Sequence, residues 1–223
     1  MAAGAFRFMA SGWVERLYGE PDFFFKYYGF EWVEPLNVAG MYWVYGLIGL
    51  SALGIMLGLF YRWSALAFWL SFTYTELTDV TNYLNHYYLV VLLGLLLIVL
   101  PAHRRFSVDV WRKPSLRVDT VPAWCLYVIM LQVGIVYFYA GLAKLNTDWL
   151  MWAMPLAVWL PTKADWPVVG ALLTQSWVAF AFSWAGALYD LSIPFLLLNR
   201  RTRPWAYIAV LLFHVLTKLL FNI

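Results

Sequence analysis

Residues 64–100, SALAFWLSFTYTELTDVTNYLNHYYLVVLLGLLLIVL, decide the fold of this 223-residue chain. As one helix these 37 residues would measure about 55 Å, nearly twice the thickness of bilayer hydrocarbon. A polar cluster at residues 82–86 lies just past the middle, where we expect the chain to reverse. The stretch therefore predicts two antiparallel apolar helices that meet at this cluster.

The composition of the whole chain agrees with a membrane protein. Hydrophobic residues make up 64% and charged residues 12%, against about 25% charged in soluble proteins. This excludes a disordered chain and a cytosolic enzyme, and the net charge of +3 indicates cationic loops rather than a nucleic-acid partner. We predict an all-α, polytopic helical bundle with about six transmembrane helices, at residues 41–60, 64–84, 86–100, 121–143, 176–198 and 204–221.

Two regions lack a clean apolar span and predict helices at the membrane surface. Residues 1–40 are rich in both aromatic and charged side chains, which is typical of an amphipathic interfacial segment preceding a transmembrane domain over residues 41–223. Residues 149–155 and 164–167 mix Trp, Met and Pro and favour interfacial or re-entrant helices.

Lysine and arginine predict the orientation in the membrane. The loops after the first, third and fifth predicted spans carry nine of these residues and the opposite side carries five. The side with nine is expected to be cytoplasmic. His86 and Lys144 then share the exoplasmic side.

Ionisable side chains within apolar spans are costly, so each is a candidate for function. Glu76, Asp79, Asn82 and His86 follow spacings of three, three and four, which predicts one face of a helix directed at protein or water. The alternative is that these side chains only hydrogen-bond neighbouring helices.

Lys144 ends the fourth predicted span, where it could extend to the interface or act as a base in a desolvated site. Asp190 and His214 lie inside later spans, as members of a site or of buried partner pairs. His103 lies in a basic loop and is expected to be solvated, and the single Cys125 is expected to serve packing.

Several stretches resemble one family, above all IVYFYAGLAKL at residues 135–145 followed by Asp148 and Trp149. Together with residues 85–89, 107–109 and 121–124, they resemble the membrane domain of vitamin K-dependent γ-glutamyl carboxylase over nearly the whole chain. In bacteria, similar sequences form the horizontally transferred transmembrane (HTTM) domain family, so the resemblance implies a bacterial inner-membrane protein.

The resemblance implies a reaction and its residues. Lys144 matches the base that deprotonates vitamin K hydroquinone, or a related quinol, whose oxygenation by O2 to the epoxide drives carboxylation of glutamyl residues by CO2. Asn85 and His86 match a pair that stabilises the developing negative charge, and His214 matches a further histidine. Ala143 departs from the family, which has a second lysine there.

Other parts of the site are expected from the chemistry. An aromatic groove of Tyr137, Phe138 and Tyr139 would hold the quinol ring, while Glu76, Asp79 and Asp190 remain candidates for a structural or proton-transfer network. No metal motif is visible. Expected partners are the lipid bilayer, a glutamyl peptide or protein substrate and a quinone-epoxide reductase.

Two other functions remain open: a non-carboxylating membrane module for peptide maturation or export, and a quinone-binding redox helper. The carboxylase has another transmembrane helix before the matched region and a β-rich portion after it. We therefore expect the 223 residues to be a fragment or a shortened form, incomplete at both ends.

Overall fold

The computed structural model describes residues 1–221, and it confirms the all-α fold. Within the described residues every regular element is a helix, and the chain divides into two compact units, Met1–Ile129 and Met130–Ile223. The α-helices are α1 Ala2–Ala10, α2 Trp13–Tyr18, α3 Val38–Leu57, α4 Tyr61–Leu77, α5 Asn85–Val99, α6 Val108–Arg112, α7 Trp124–Ala143, α8 Thr147–Met151, α9 Leu156–Trp159, α10 Gly170–Leu173, α11 Ser176–Leu198 and α12 Arg203–Leu220.

Four of these helices, α3, α7, α11 and α12, are long and apolar enough to cross a membrane. They fit an integral membrane protein, and their ends lie within three residues of the predicted spans. With 17 and 15 residues, α4 and α5 measure about 25 and 23 Å, short of the roughly 30 Å of hydrocarbon. The predicted count of about six spans is therefore not confirmed.

The chain reverses between α4 and α5, as the apolar stretch predicts. The rings of Phe72 and Tyr87 meet edge to face, with centroids 5.6 Å apart. Further along both helices, a Cβ on Gly94 would lie 3.6 Å from the ring of Phe68. Earlier residues of α4 thus meet later residues of α5, which shows that the two helices pack antiparallel.

The predicted one-face stripe in this region is wrong. α4 ends at Leu77, and Asp79 has an extended backbone with φ −151°. Its carboxylate accepts hydrogen bonds from the backbone N–H and the hydroxyl of Thr81, at 2.9 and 2.8 Å. This local turn offers the backbone an alternative to the helix, so Glu76 stands in α4 and His86 in the first turn of α5.

In the first unit, α1, α2 and α4 pack around α3. The N-terminus of α3 is capped by the side chain of Asn37, which accepts the N–H of Gly40 at 2.8 Å. The helix ends at Leu57, and Gly58 caps it with a φ of +61°, which favours glycine. The residues buried in this core are Ala5, Val14, Tyr18, Met41, Tyr45, Ile48, Phe68 and Phe72.

The loop after α5 corrects a second prediction. His103 is only 8% exposed, and its ring stacks on Tyr61 with centroids 4.5 Å apart. Burial, together with the nearby Arg62 and Arg104, lowers the pKa of His103. The expectation of a solvated side chain is wrong because a tyrosine at the start of α4 covers the ring. Cys125 is buried, in agreement with a packing role.

In the second unit, short helices connect the long ones. α8, α9, a 3-10 helix at Leu160–Lys163 and α10 fill the connection between α7 and α11, and α8, α9 and α10 contact α11. Short helices were predicted in this region. The buried residues of this core are Ala153, Leu156, Leu160, Leu173, Val178, Ala179 and Leu220.

Candidate functional site

Lys144 and Asp190 form an ion pair in the second unit. The Nζ atom of Lys144 lies 2.6 Å from Oδ2 of Asp190, and the two side chains are 20% and 5% exposed. Lys144 follows α7 directly, whereas Asp190 lies in the interior of α11. The lysine therefore turns its amine toward a neighbouring helix instead of extending it to solvent.

Two further groups hold the amine of Lys144. Its Nζ donates to the carbonyl of Ala140 at 3.2 Å and lies 5.1 Å from the ring centre of Trp149. The carbonyl belongs to the last turn of α7, where the helix dipole also favours a cation. A carboxylate, a helix C-terminus and an aromatic face thus converge on one nitrogen atom.

The residues that follow Lys144 fold into a short capped helix that positions Trp149. Asn146 caps α8 by accepting the N–H of Trp149 at 2.9 Å, and its amide donates back to the carbonyl of Ala143 at 2.7 Å. Asparagine is a favoured residue at this position because its side chain satisfies an otherwise unpaired backbone donor. The turn from α7 into α8 is therefore fixed by local hydrogen bonds.

Trp149 is also fixed against α11. Its indole Nε1 donates to the carbonyl of Ser183 at 2.8 Å, and the hydroxyl of Ser183 donates to the carbonyl of Trp149. Ser183 and Asp190 are seven residues apart and lie on one face of α11. That face therefore holds both the ring and the carboxylate that surround the lysine amine.

Gly141 allows α7 and α11 to come close. A Cβ at this position would lie 2.7 Å from Cγ and 2.9 Å from the backbone N of Leu191. Only glycine avoids this collision without a shift of the backbone. Because Asp190 precedes Leu191, the close approach also brings the carboxylate within reach of Lys144.

The three aromatic residues proposed to hold the quinol ring face different neighbours. Tyr137 packs edge to face on Tyr189, with centroids 6.0 Å apart, and Phe138 does the same on Phe195 at 6.2 Å. Tyr139 is 65% exposed. Because consecutive helical residues point about 100° apart, only Tyr137 shares the face of α7 that carries Lys144.

His214 lies in α12, beside the ion-pair region of α11. Its Nδ1 donates to the carbonyl of Val210 at 2.8 Å, because a carbonyl can only accept. The adjacent Phe213 stacks on Tyr189 with centroids 4.1 Å apart. Phe213 of α12 thus packs on Tyr189, the residue before Asp190.

The remaining predicted residues lie in the first unit. Asn85 and His86 begin α5 and are exposed, Glu76 lies in the last turn of α4, and Asp79 forms the turn between these helices. The structure thus groups Lys144 with Asp190 in one unit, and the Asn-His pair with the turn in the other. Among residues 1–221, no group of three metal-ligating side chains is placed to hold an ion.

Sequence reasoning missed three contributors: Trp149, Ser183 and Tyr189. The hydroxyl of Tyr189 is buried and has no close hydrogen-bond partner in the described structure. The spacing of seven between Ser183 and Asp190 was the available signal, because such residues share a helix face. This signal is weak, because many pairs of residues in a transmembrane helix are seven positions apart.

The sequence matches one protein family over its whole length. The model of the HTTM domain matches residues 1–223. No solved structure matches the chain. The match extends over both units, and the chain therefore belongs to the HTTM domain family, the domain of the vitamin K-dependent carboxylase family.

Proposed function

We propose that this protein carries out quinol-dependent carboxylation of glutamyl residues, with Lys144 as the initiating base. The observation that carries the proposal is the 2.6 Å pair between Lys144 and Asp190. Membership of the HTTM family supports the reaction class. A lysine that only anchors a helix end would place its charge in water.

The ion pair provides Lys144 with a proton acceptor, the carboxylate of Asp190. To act as a base, Lys144 must first release a proton from its ammonium group, and the Asp190 carboxylate at 2.6 Å can accept it. The hydrogen bond between Lys144 and Asp190 is the path for this transfer. Asp190 then holds the proton, and Lys144 presents a neutral amine that can accept another from a quinol hydroxyl.

The quinol supplies the driving force: it reduces O2, forming its epoxide and water, and this couples to removal of a glutamyl γ-hydrogen and addition of CO2. Tyr189, next to Asp190 in α11, supports an aromatic substrate, because its ring lies between Tyr137 and Phe213 and adds to an aromatic surface. Lys144 binds and deprotonates the hydroxyl, and Trp149 limits the approach of water.

We assign Asn85 and His86 to stabilising the glutamyl carbanion. Both lie exposed in the first turn of α5, where backbone N–H groups are free of intrahelical partners. Side-chain donors and these N–H groups would together stabilise the negative charge that develops as CO2 adds. His86→Ala is accordingly expected to reduce carboxylation more than epoxide formation.

The test is incorporation of labelled bicarbonate into a glutamyl peptide, with epoxide formation followed in parallel. Lys144→Ala should lower both rates about 10²- to 10⁴-fold, as expected for removal of a positioned base. Lys144→Arg should be as inactive, because arginine keeps the charge but does not deprotonate in proteins. Lys163→Arg is the matched control, since Lys163 also lies over an indole, that of Trp166, at 5.8 Å.

Wild-type turnover in Lys144→Arg would reject Lys144 as the base. Epoxide formation without carboxylation in the wild type would favour the quinone-binding redox function. If neither product forms with several quinols and peptides, the peptide-maturation function is favoured instead.

A further inference from the structure

A cavity of about 390 Å³ opens in the first unit, between the end of α5 and the start of α7. Its walls are mainly aliphatic and come from three segments: the last turn of α5, the loop that follows, and the first turns of α7. The backbone N–H of Val118 donates to the carbonyl of Arg104 at 2.9 Å and ties the two sides of the loop. The apolar wall includes Leu97, Leu100, Val121, Cys125, Leu126 and Ile129.

Arginines line the rim of this cavity. Arg104 and Arg105 both contribute to the lining, with Asp119 as the one carboxylate. Asp119 is shared: its Oδ1 lies 3.8 Å from Nε of Arg105 and 3.5 Å from Nε of Arg117. One carboxylate is thus shared by two guanidinium groups, and with Arg104 in the lining as well, positive charge is in excess at the rim.

Arg104 is the least satisfied of these groups. Its Nε is buried and has no hydrogen-bond partner within the described residues. The loop of residues 101–123 adds to the local field, with five Lys or Arg and two Asp residues. A buried guanidinium donor without a partner is costly in a folded protein, so an anionic ligand at this rim would be stabilised.

From this combination we infer that the cavity binds an anionic phospholipid, with the phosphate at Arg104 and Arg105 and part of an acyl chain along the aliphatic wall. The cavity lies where the apolar helices α5 and α7 meet a basic loop. Such basic pockets at the ends of membrane helices suit anionic headgroups. A soluble phosphate ester would fill the rim but leave the aliphatic wall in contact with water.

The test uses the full chain purified in a neutral detergent and titrated with phosphatidylglycerol, while native mass spectrometry counts the bound lipid. Phosphatidylcholine with identical acyl chains is the control for charge, and glycerol phosphate is the control for the acyl chain. We expect one retained phosphatidylglycerol, and weaker binding of both controls by at least fivefold. Rising salt should weaken the interaction, because the rim is partly exposed.

Variants separate the rim from the wall. Arg104→Gln and Arg105→Gln should each weaken phosphatidylglycerol binding about fivefold, the equivalent of one cationic contact at a membrane surface. Lys113→Gln, an exposed cation in the same loop that does not line the cavity, should leave binding unchanged. Cys125→Phe fills the cavity and should prevent retention with both arginines intact, whereas Cys125→Ala should not.

Equal binding of phosphatidylcholine, or equal weakening by Lys113→Gln, would overturn the inference, and so would glycerol phosphate competing at the same concentration as the lipid. Circular dichroism of each variant establishes that the helices are retained. If Arg104→Gln fails to fold, the two single variants Arg104→Lys and Cys125→Phe still test the site. The first should retain most of the binding and the second should lose it.

Discussion

The turn between α4 and α5 and the contact between α7 and α11 satisfy their polar groups in opposite ways. In the turn, Asp79 accepts from Thr81 and Thr78 donates to the carbonyl of Thr75, so these side chains bond within three residues, while the backbone N–H of Val80 donates to the carbonyl of Phe25 at 2.8 Å. Between α7 and α11, Lys144 and Asp190 are 46 positions apart in the sequence. The side-chain bonds of the turn are local, whereas the ion pair exists only when two helices pack.

This difference indicates where function is concentrated. Local hydrogen bonds end α4 before α5 begins, and they occupy the carboxylate of Asp79. A charged pair between helices removes two charges from water, at a cost in folding. The first region therefore shapes the fold, and the second holds the group to which we assign the chemistry.

The largest effect on stability is expected from breaking the ion pair on one side. Asp190→Leu removes the carboxylate and leaves the Lys144 ammonium without its partner, which should lower the free energy of unfolding by about 3 kcal/mol. The double variant with Lys144→Met should recover most of this loss, because an apolar pair requires no desolvation of charge. Chemical unfolding in detergent, followed by circular dichroism, measures the free energy of unfolding of the wild type, Asp190→Leu and the double variant.

An exposed pair serves as the control. Glu34 lies 2.9 Å from Lys26 but its side chain is 68% exposed, so Glu34→Gln should cost less than about 1 kcal/mol. If Asp190→Leu lowers the free energy of unfolding no more than Glu34→Gln does, Lys144 does not need a carboxylate partner for stability.

A smaller effect is expected from Gly141→Ala. The added Cβ would meet the backbone of Leu191, so α7 and α11 must separate, at a cost of about 2 kcal/mol. Gly134→Ala is the matched control in the same helix, because its Cβ would lie 3.7 Å from Pro194, an ordinary contact. The expected order of thermal stability is wild type and Gly134→Ala above Gly141→Ala. Equal stability of the two variants would show that the close approach does not constrain the helices.

The smallest effect is expected in the turn. Asp79→Ala removes the acceptor for the N–H and hydroxyl of Thr81 and should cost about 1 kcal/mol. Asp79→Asn keeps a carbonyl acceptor and should cost less than half of that. Thermal melting monitored by circular dichroism distinguishes them. A larger loss for Asp79→Asn than for Asp79→Ala would mean that Asp79 acts through its charge and not through the turn.

The orientation stays a prediction, and the shorter α4 and α5 do not change the side predicted for the basic loop. These helices are consecutive, so the loops before and after them lie on the same side whether both cross the bilayer or neither does. The count of nine against five Lys and Arg residues therefore still predicts a cytoplasmic basic loop after α5. What changes is the depth expected for His86, which lies at the turn between the two helices.

Some errors of sequence reasoning have a physical cause that the residues themselves reveal. The stripe through Glu76 and Asp79 assumed a helix that continued to residue 84, but an Asp followed two residues later by Thr can form its own turn. His103 was expected in water because its loop is basic. Its burial depends on Tyr61, 42 positions earlier in the sequence, and spacing along the chain cannot reveal that contact.

The sequence by itself determined the all-α class, the reversal within residues 64–100, the four long membrane helices and the family. These follow from local apolar length and from an unbroken motif, which tertiary contacts do not alter. Only the tertiary structure decided the partner of Lys144, the burial of His103 and the cavity beside Arg104. Each depends on contacts between segments far apart in the sequence, such as the close approach of α7 and α11 at Gly141, and the periodicity of the sequence does not show which segments meet.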